Sequence, residues 1–161
     1  MALSLQEISD RIEIDDLLTR YATGVDRKDW DLWETCFTAD ASIDYRAFGG
    51  THGGVKDVRA WLEKTMAMFP MSQHMVINRE VDIDGDVATC RSGFFNPMSL
   101  TEGEGGGTLL WLDGGYYCDD LVRTPDGWKI HKRVEEFSYS TRTMRMLRAP
   151  RAEPTDSGAT R

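Results

Sequence analysis

Apolar residues recur along this chain in two distinct rhythms. Between Leu5 and Phe69 they return every three or four positions, and beyond Pro70 they return every second position. In the first region "SLQE", Ser4 to Glu7, has the form of a capping box. It opens a helix whose apolar stripe is Leu5, Ile8, Ile12, Leu17, Leu18, Tyr21 and Val25, and which is predicted to end around Gly24. A short second helix follows from about Asp29, with Trp30, Trp33 and Phe37 as its buried contacts. "ASIDYRAF" reads as a brief strand and "GGTHGG" as a loop. Val55, Val58, Trp61, Leu62, Met66 and Phe69 give a third helix, which Pro70 closes.

In the second region Met75, Ile77, Val81 and Ile83 alternate with polar residues, the pattern of a strand with one buried face. Asp84-Gly85 marks a tight hairpin into "VATCRSGFF". The glycine-rich "EGEGGG" leads to a long strand from Thr108 to Arg123, and Asp126-Gly127 turns the chain into "WKIHKRVEEF". From Ala149 onward Pro150, Pro154 and Gly158 read as a flexible tail, so one domain is expected over residues 1–148 and a tail over 149–161. Three helices followed by long antiparallel strands is an α+β order. Long strands twist and curl, and helices packed in the hollow leave a cone-shaped α+β barrel around an apolar pocket.

Composition narrows the function classes. At 161 residues the length fits one domain with a substantial core. A net charge of −8 and a pI near 4.9 exclude the basic face that nucleic acid or an anionic membrane surface requires. No run of about 18 apolar residues is present to span a bilayer, and "MALSLQEISD" lacks the basic and apolar regions of a secretory leader. Cys36, Cys90 and Cys118 are odd in number and isolated, which fits free thiols in a reducing cytoplasm.

No dense catalytic motif stands out. "EGEGGG" lacks the Lys-Ser/Thr of a phosphate loop, and His52, His74 and His131 lie too far apart for a familiar metal spacing. Strict alternation puts His74 and Asn78 on the face opposite Met75, Ile77 and Val81, the reading of a surface histidine. Strand starts are also where bulges re-aim side chains, which leaves a functional His74 open. Asp26, directly after Val25, is either a solvated residue near a helix end or a carboxylate turned inward. Trp30, Trp33, Trp61 and Trp128 read as core, Trp111 beside "DGGYY" as a cavity residue, and Arg123 before a turn as solvated.

Taken together, "GVDRKDWD", "IDYRAF", "SQHM" and "GGYYCDDLVRTPDGWKI" resemble the nuclear transport factor 2-like superfamily in its SnoaL-like branch. The likeness runs from about Ser4 to Phe137. Within that superfamily "KDWD" and "IDYR" resemble scytalone dehydratase, "GVD" and the later histidine resemble hexachlorocyclohexane dehydrochlorinase, and "GGYYCDD" resembles the bile-acid dehydratases. The resemblance implies β-elimination without a metal or organic cofactor. It implies a dyad of Asp26 and His74, with the carboxylate accepting from one ring nitrogen and the other nitrogen left as a base. Tyr45 and Tyr21 are implied polar helpers, and Asn96, Trp111, Tyr116 and Arg123 pocket residues.

Several positions depart from these relatives. Val25 stands where scytalone dehydratase has a second tyrosine, and Phe95-Asn96 where it has a second histidine. The dehydrochlorinase carries a lysine near the place of Tyr21 and lacks the tyrosine matching Tyr45; its arginine on the penultimate strand matches Arg123. The reading is a lyase acting on a small, largely apolar cyclic or aromatic molecule in a central pocket, with isomerisation sharing the first step. The alternative is a non-catalytic binding domain or an accessory subunit like the small subunit of ring-hydroxylating dioxygenases. Self-assembly is expected, a trimer by the resemblance and a dimer as the other option.

Overall fold

The computed structural model describes residues 2–101 and 108–145. The glycine-rich connection at 102–107 and the tail expected from Ala149 lie outside the described residues. In chain order the elements are α1 (Leu5–Arg27), α2 (Trp30–Glu34), β1 (Phe37–Asp44), a 3-10 turn (Arg46–Phe48), β2 (His52–Gly54), α3 (Val55–Met66), β3 (Met71–Ser72), β4 (Met75–Asp84), β5 (Val87–Thr101), β6 (Thr108–Thr124) and β7 (Gly127–Arg145). The strands form one sheet in the order β2-β1-β7-β6-β5-β3, with β4 also paired to β5. All strand pairs are antiparallel except β1 with β7, which is parallel. The sheet curls strongly into a half-barrel with the helices in its hollow, an α+β cone.

Helix α1 begins as its sequence dictates. The Glu7 N–H donates to the Ser4 hydroxyl at 3.1 Å, and the Ser4 N–H donates back to the Glu7 carboxylate at 2.8 Å. The helix runs one turn beyond the expected stop at Gly24, to Arg27, and Lys28 closes it in the left-handed conformation at φ 56°. Gly24 serves a crossing rather than a cap: a Cβ there would lie 2.9 Å from the Trp33 backbone nitrogen on α2. Ile14, Leu17, Leu18, Tyr21 and Val25 are buried, whereas Leu5, Ile8 and Ile12 from the expected stripe are exposed. Among the described residues no helix is long and apolar enough to cross a membrane.

"GGTHGG" is not only a loop, because His52–Gly54 pairs antiparallel with Ser42–Asp44 before α3 begins. Two bulges then set which side chains face the hollow. On β4 three steps from Ile77 to Glu80 match two on β5, from Gly93 to Arg91, and Asn78 takes φ 50°. Asn is one of the few side chains that tolerates this conformation. The extra residue reverses the alternation, so Val76 packs on the core together with Val81 and Ile83, while Ile77 is exposed. On β7 the partners of Asp120 and Leu121 are Lys132 and Ile130, which skips His131. Trp128 and Ile130 face the core before that bulge, and Arg133 and Glu135 face inward after it.

Arg123 ties α1 to the end of β6. Its Nη1 and Nη2 donate to the two oxygens of buried Asp10 at 2.6 and 2.8 Å, and its Nε donates to Asp86 at 2.9 Å. Trp128 Nε1 and Gln6 Nε2 also donate to Asp10, at 3.2 and 3.0 Å. The guanidinium holds the Asp10 carboxyl well below the usual carboxylate range, against the upward push of burial.

Two outcomes test this framework. Gly to Ala inside a helix ordinarily gains stability, yet Gly24→Ala is expected to lose about 1–3 kcal/mol by forcing α1 off α2. A urea-denaturation midpoint at or above wild type would contradict the crossing. Because Asp10 is more acidic folded than unfolded, its contribution is complete above the unfolded value of about 3.9 and fades as pH falls below it. Asp10→Asn is therefore expected to lower the melting temperature at pH 7 and to flatten the acid limb of a stability profile between pH 5 and 2. An acid limb as steep as that of wild type would refute the assignment.

Candidate functional site

Asp26 stands in the last turn of α1, one residue past buried Val25, and its carboxylate is turned toward the gap between β3 and β4. On either side of that gap the sheet ladder is intact: Ser72 pairs with Met98, the Gln73 N–H donates to the Pro97 carbonyl at 3.0 Å, and Met75 pairs with Phe95. The His74 N–H falls in the break and donates to Asp26 Oδ2 at 2.8 Å. His74 Nδ1 lies 2.6 Å from Asp26 Oδ1, to which the Ser72 hydroxyl also donates at 3.1 Å. An ionised carboxylate only accepts, so in the neutral ring Nδ1 carries the proton and Nε2 keeps a lone pair. The His74 side chain is 8% exposed and that of Asp26 23%.

His74 lines a cavity of about 390 Å³ between the helices and the concave face of the sheet. This volume is within the usual range of small-molecule sites. Its walls are mostly apolar: Phe48, Phe69, Phe94, Trp61 and Trp111 with Leu62, Met66, Met68 and Met98. Ring contacts fix several of them, with Phe69 edge-on to Trp111 at 5.5 Å and Phe94 stacked on Tyr117 at 4.4 Å. A wider depression of about 540 Å³, lined by Thr89, Arg91, Cys118, Asp120 and Lys132 among others, lies away from His74 and holds none of this constellation.

The polar part of the cavity is a chain of hydroxyls. Tyr21 and Tyr45 share a hydrogen bond of 2.9 Å, and Asn96 Nδ2 donates to the Tyr117 hydroxyl at 3.3 Å. Burial pushes all three phenols above their ordinary value, which keeps them protonated and able to donate. Behind them Arg133 is fully buried and donates bidentately to buried Asp119 at 2.7 and 2.6 Å. Its guanidinium lies 3.9 Å from the Tyr21 ring centroid and 4.2 Å from that of Tyr117.

Of the residues singled out from the sequence, His74, Tyr45, Tyr21, Asn96 and Trp111 line this cavity, and Asp26 touches it through His74. Two lie elsewhere. Tyr116 points to the other face of β6, where the Arg91 guanidinium covers its ring at 3.4 Å, because alternation turns Tyr117 inward instead. Arg123 is held by Asp10 and Asp86 outside the cavity. Tyr117, Asp113 and Glu135 line the cavity and were missed by sequence reasoning. The "YY" pair offers one ring to each face and only strand register decides which. Glu135 gave no signal at all, since its orientation follows from the bulge at His131.

Thiol chemistry has little to work with here. Burial pushes the Cys36 thiol up to about 11 and that of Cys90 up to about 12. Among the described residues no three His, Cys, Asp or Glu side chains gather as a metal-binding group.

A family model described as a SnoaL-like domain matches residues 6–134. An uncharacterized protein of Mycobacterium tuberculosis is 44% identical over 133 residues, which cover 83% of this chain and 88% of that protein. Among solved structures, a candidate aromatic ring hydroxylase from Novosphingobium aromaticivorans is 28% identical with a TM-score of 0.74, covering 84% of this chain and 94% of the other. A candidate scytalone dehydratase from the same organism superposes with a TM-score of 0.74 at 18% identity, covering 89% and 97%. A hexachlorocyclohexane dehydrochlorinase superposes with a TM-score of 0.74 at 21% identity, covering 91% and 97%. At those last two identities the likeness is one of fold.

Proposed function

This chain belongs to the SnoaL-like domain family of the nuclear transport factor 2-like superfamily, and from that premise we propose that it is a cofactor-independent lyase of the dehydratase type. The substrate class is a small, largely apolar cyclic or aromatic compound with a hydroxyl β to a carbonyl. One observation carries the reading: the 2.6 Å contact between His74 Nδ1 and Asp26, on a histidine that lines an aromatic cavity. Two neighbours of the same fold named for elimination, a dehydrochlorinase and a candidate scytalone dehydratase, accord with it.

The steps follow from the groups present. His74 Nε2 takes the proton from the carbon beside the substrate carbonyl, and Asp26 stabilises the imidazolium that forms. The C–H electron pair moves onto the carbonyl oxygen as an enolate, which accepts a hydrogen bond from the Tyr45 hydroxyl, itself oriented by Tyr21. As the enolate collapses, the new carbon–carbon double bond forms and the β-hydroxyl leaves. The imidazolium returns its proton to that hydroxyl, giving water and the starting dyad. Charge is balanced throughout, and no electrons are exchanged with a second reagent.

An isomerase would share the first step and return the proton to another carbon, so product analysis separates the two. The likeness to a candidate ring hydroxylase favours a second reading, an accessory subunit of an oxygenase. Such a subunit would bind a larger partner chain and turn over nothing alone.

The test uses a panel of cyclic β-hydroxy ketones, with loss of water and deuterium exchange at the α-carbon followed together. His74→Ala is expected to lower turnover by about a hundredfold to ten-thousandfold while circular dichroism stays that of wild type. Asp26→Asn is expected to lose most of the activity as well, because the amide presents no net charge to the imidazolium. Wild-type rates in a folded His74→Ala variant would rule out the dyad.

A further inference from the structure

Glu135 is a cavity group that the elimination steps leave unused and that has unmet bonding capacity. It lines the cavity from β7, directly across the ladder from Tyr117 on β6. Its Oε2 is shut off from solvent and has no hydrogen-bond partner. A buried polar atom without a partner costs stability, so a chain that keeps one facing a cavity keeps a place for a ligand atom. The β7 bulge that skips His131 is what turns this side chain inward.

We infer that Glu135 is a ligand-binding group that donates a hydrogen bond to a carbonyl or hydroxyl oxygen of a neutral ring compound, and that it excludes ligands bearing a carboxylate or phosphate. The inference rests on the reading of this cavity as the substrate site and adds the chemical class that the site takes. Burial pushes the Glu135 carboxyl well above the ordinary glutamate range, and the Asp113 and Asp44 carboxylates add to that push. Arg133, the cation facing it, pulls the other way; its Nε and Nη2 are given to Asp119, while its Nη1 is buried without a partner. The phenols of Tyr21, Tyr45 and Tyr117 that complete its surroundings stay neutral. A carboxylic acid held neutral in an apolar site is a hydrogen-bond donor at neutral pH. Among the described residues that line the cavity there is no lysine or arginine to meet an anionic ligand, and Asp113 lines it too.

The cavity also presents Asn96 Oδ1, a buried acceptor without a partner. A donor at one point and an acceptor at another match a ligand that carries both a carbonyl and a hydroxyl. That combination is the functional-group pair of a β-hydroxy ketone. Phe48, Phe94, Trp61 and Trp111 supply flat apolar walls for its ring.

The experiment measures binding alone, by tryptophan fluorescence, since Trp61 and Trp111 line the cavity. Three probes of one shape are compared: 1-tetralone, whose oxygen only accepts; tetralin, which has no oxygen; and 1-naphthoate, which carries a charge. Wild type is expected to bind 1-tetralone about tenfold more tightly than tetralin, with 1-naphthoate weakest and affinity level from pH 6 to 8. Glu135→Gln keeps a donor and is expected to bind 1-tetralone within about threefold of wild type, whereas Glu135→Leu is expected to lose about tenfold without losing tetralin. Equal affinity of wild type and Glu135→Leu for 1-tetralone, a preference for 1-naphthoate, or no binding of any probe would overturn the inference. Should Glu135→Leu not fold, the ¹³C carboxyl signal of Glu135 in wild type, assigned with Glu135→Gln, decides. A protonated shift at pH 7 is expected, and an ionised one overturns it. None of these readouts needs turnover, so an inert protein that binds 1-tetralone as described would sink the elimination reading alone.

Discussion

One carboxylate holds the functional end of this fold together. Asp26 accepts the main-chain N–H and the Nδ1 side of His74, and the Ser72 hydroxyl as well, at the point where β3 stops and β4 has not begun. A backbone donor in a broken ladder has to find an acceptor, and here the acceptor comes from the last turn of a helix rather than from the neighbouring strand. The same contact that docks α1 on the sheet edge therefore fixes the imidazole in rotation and tautomer. Structure and chemistry share a single group, which is why the extension of α1 past Gly24 matters: with a helix ending there, Asp26 would not stand at this height.

Around that point the cavity is built by subtraction. Aromatic and methionine side chains supply mostly apolar walls, the Trp111 indole N–H being met by Asp113 at 2.8 Å. The phenols of Tyr21, Tyr45 and Tyr117 then place donors among them. Behind them Arg133 donates to Asp119 through Nε and Nη2 and lies against the rings of Tyr21 and Tyr117. A largely apolar pocket with a single histidine in its lining accords with the proposed elimination, in which an enolate and an imidazolium form together.

Much of this was legible in the residues. The Ser4–Glu7 box, the turn at Asp84-Gly85 and the turn at Asp126-Gly127 name their own structures, because each depends on contacts within a few residues. The α+β order followed from the change of rhythm at Pro70. The pairing of Asp26 with His74 was suggested by resemblance and not by spacing, since 48 positions separate the two. What stayed hidden depended on register. Alternation from Ile77 onward hides His74 until the left-handed Asn78 is taken into account. Likewise "WKIHKRVEEF" conceals Arg133 and Glu135 until one residue is removed from the count at His131. A bulge costs one residue, leaves almost no mark in composition, and reverses every side chain beyond it.

The central claim is that Asp26 accepts a hydrogen bond from Nδ1 of His74, which leaves Nε2 as the base of the proposed elimination. Nitrogen-15 NMR of histidine-labelled protein at pH 8, with His74 assigned by substitution, reads this directly. The account predicts a protonated, pyrrole-type Nδ1 and an unprotonated, pyridine-type Nε2 for that ring, with the pattern lost in Asp26→Ala. A proton on Nε2, or averaging between the two nitrogens as in a freely solvated ring, would contradict it.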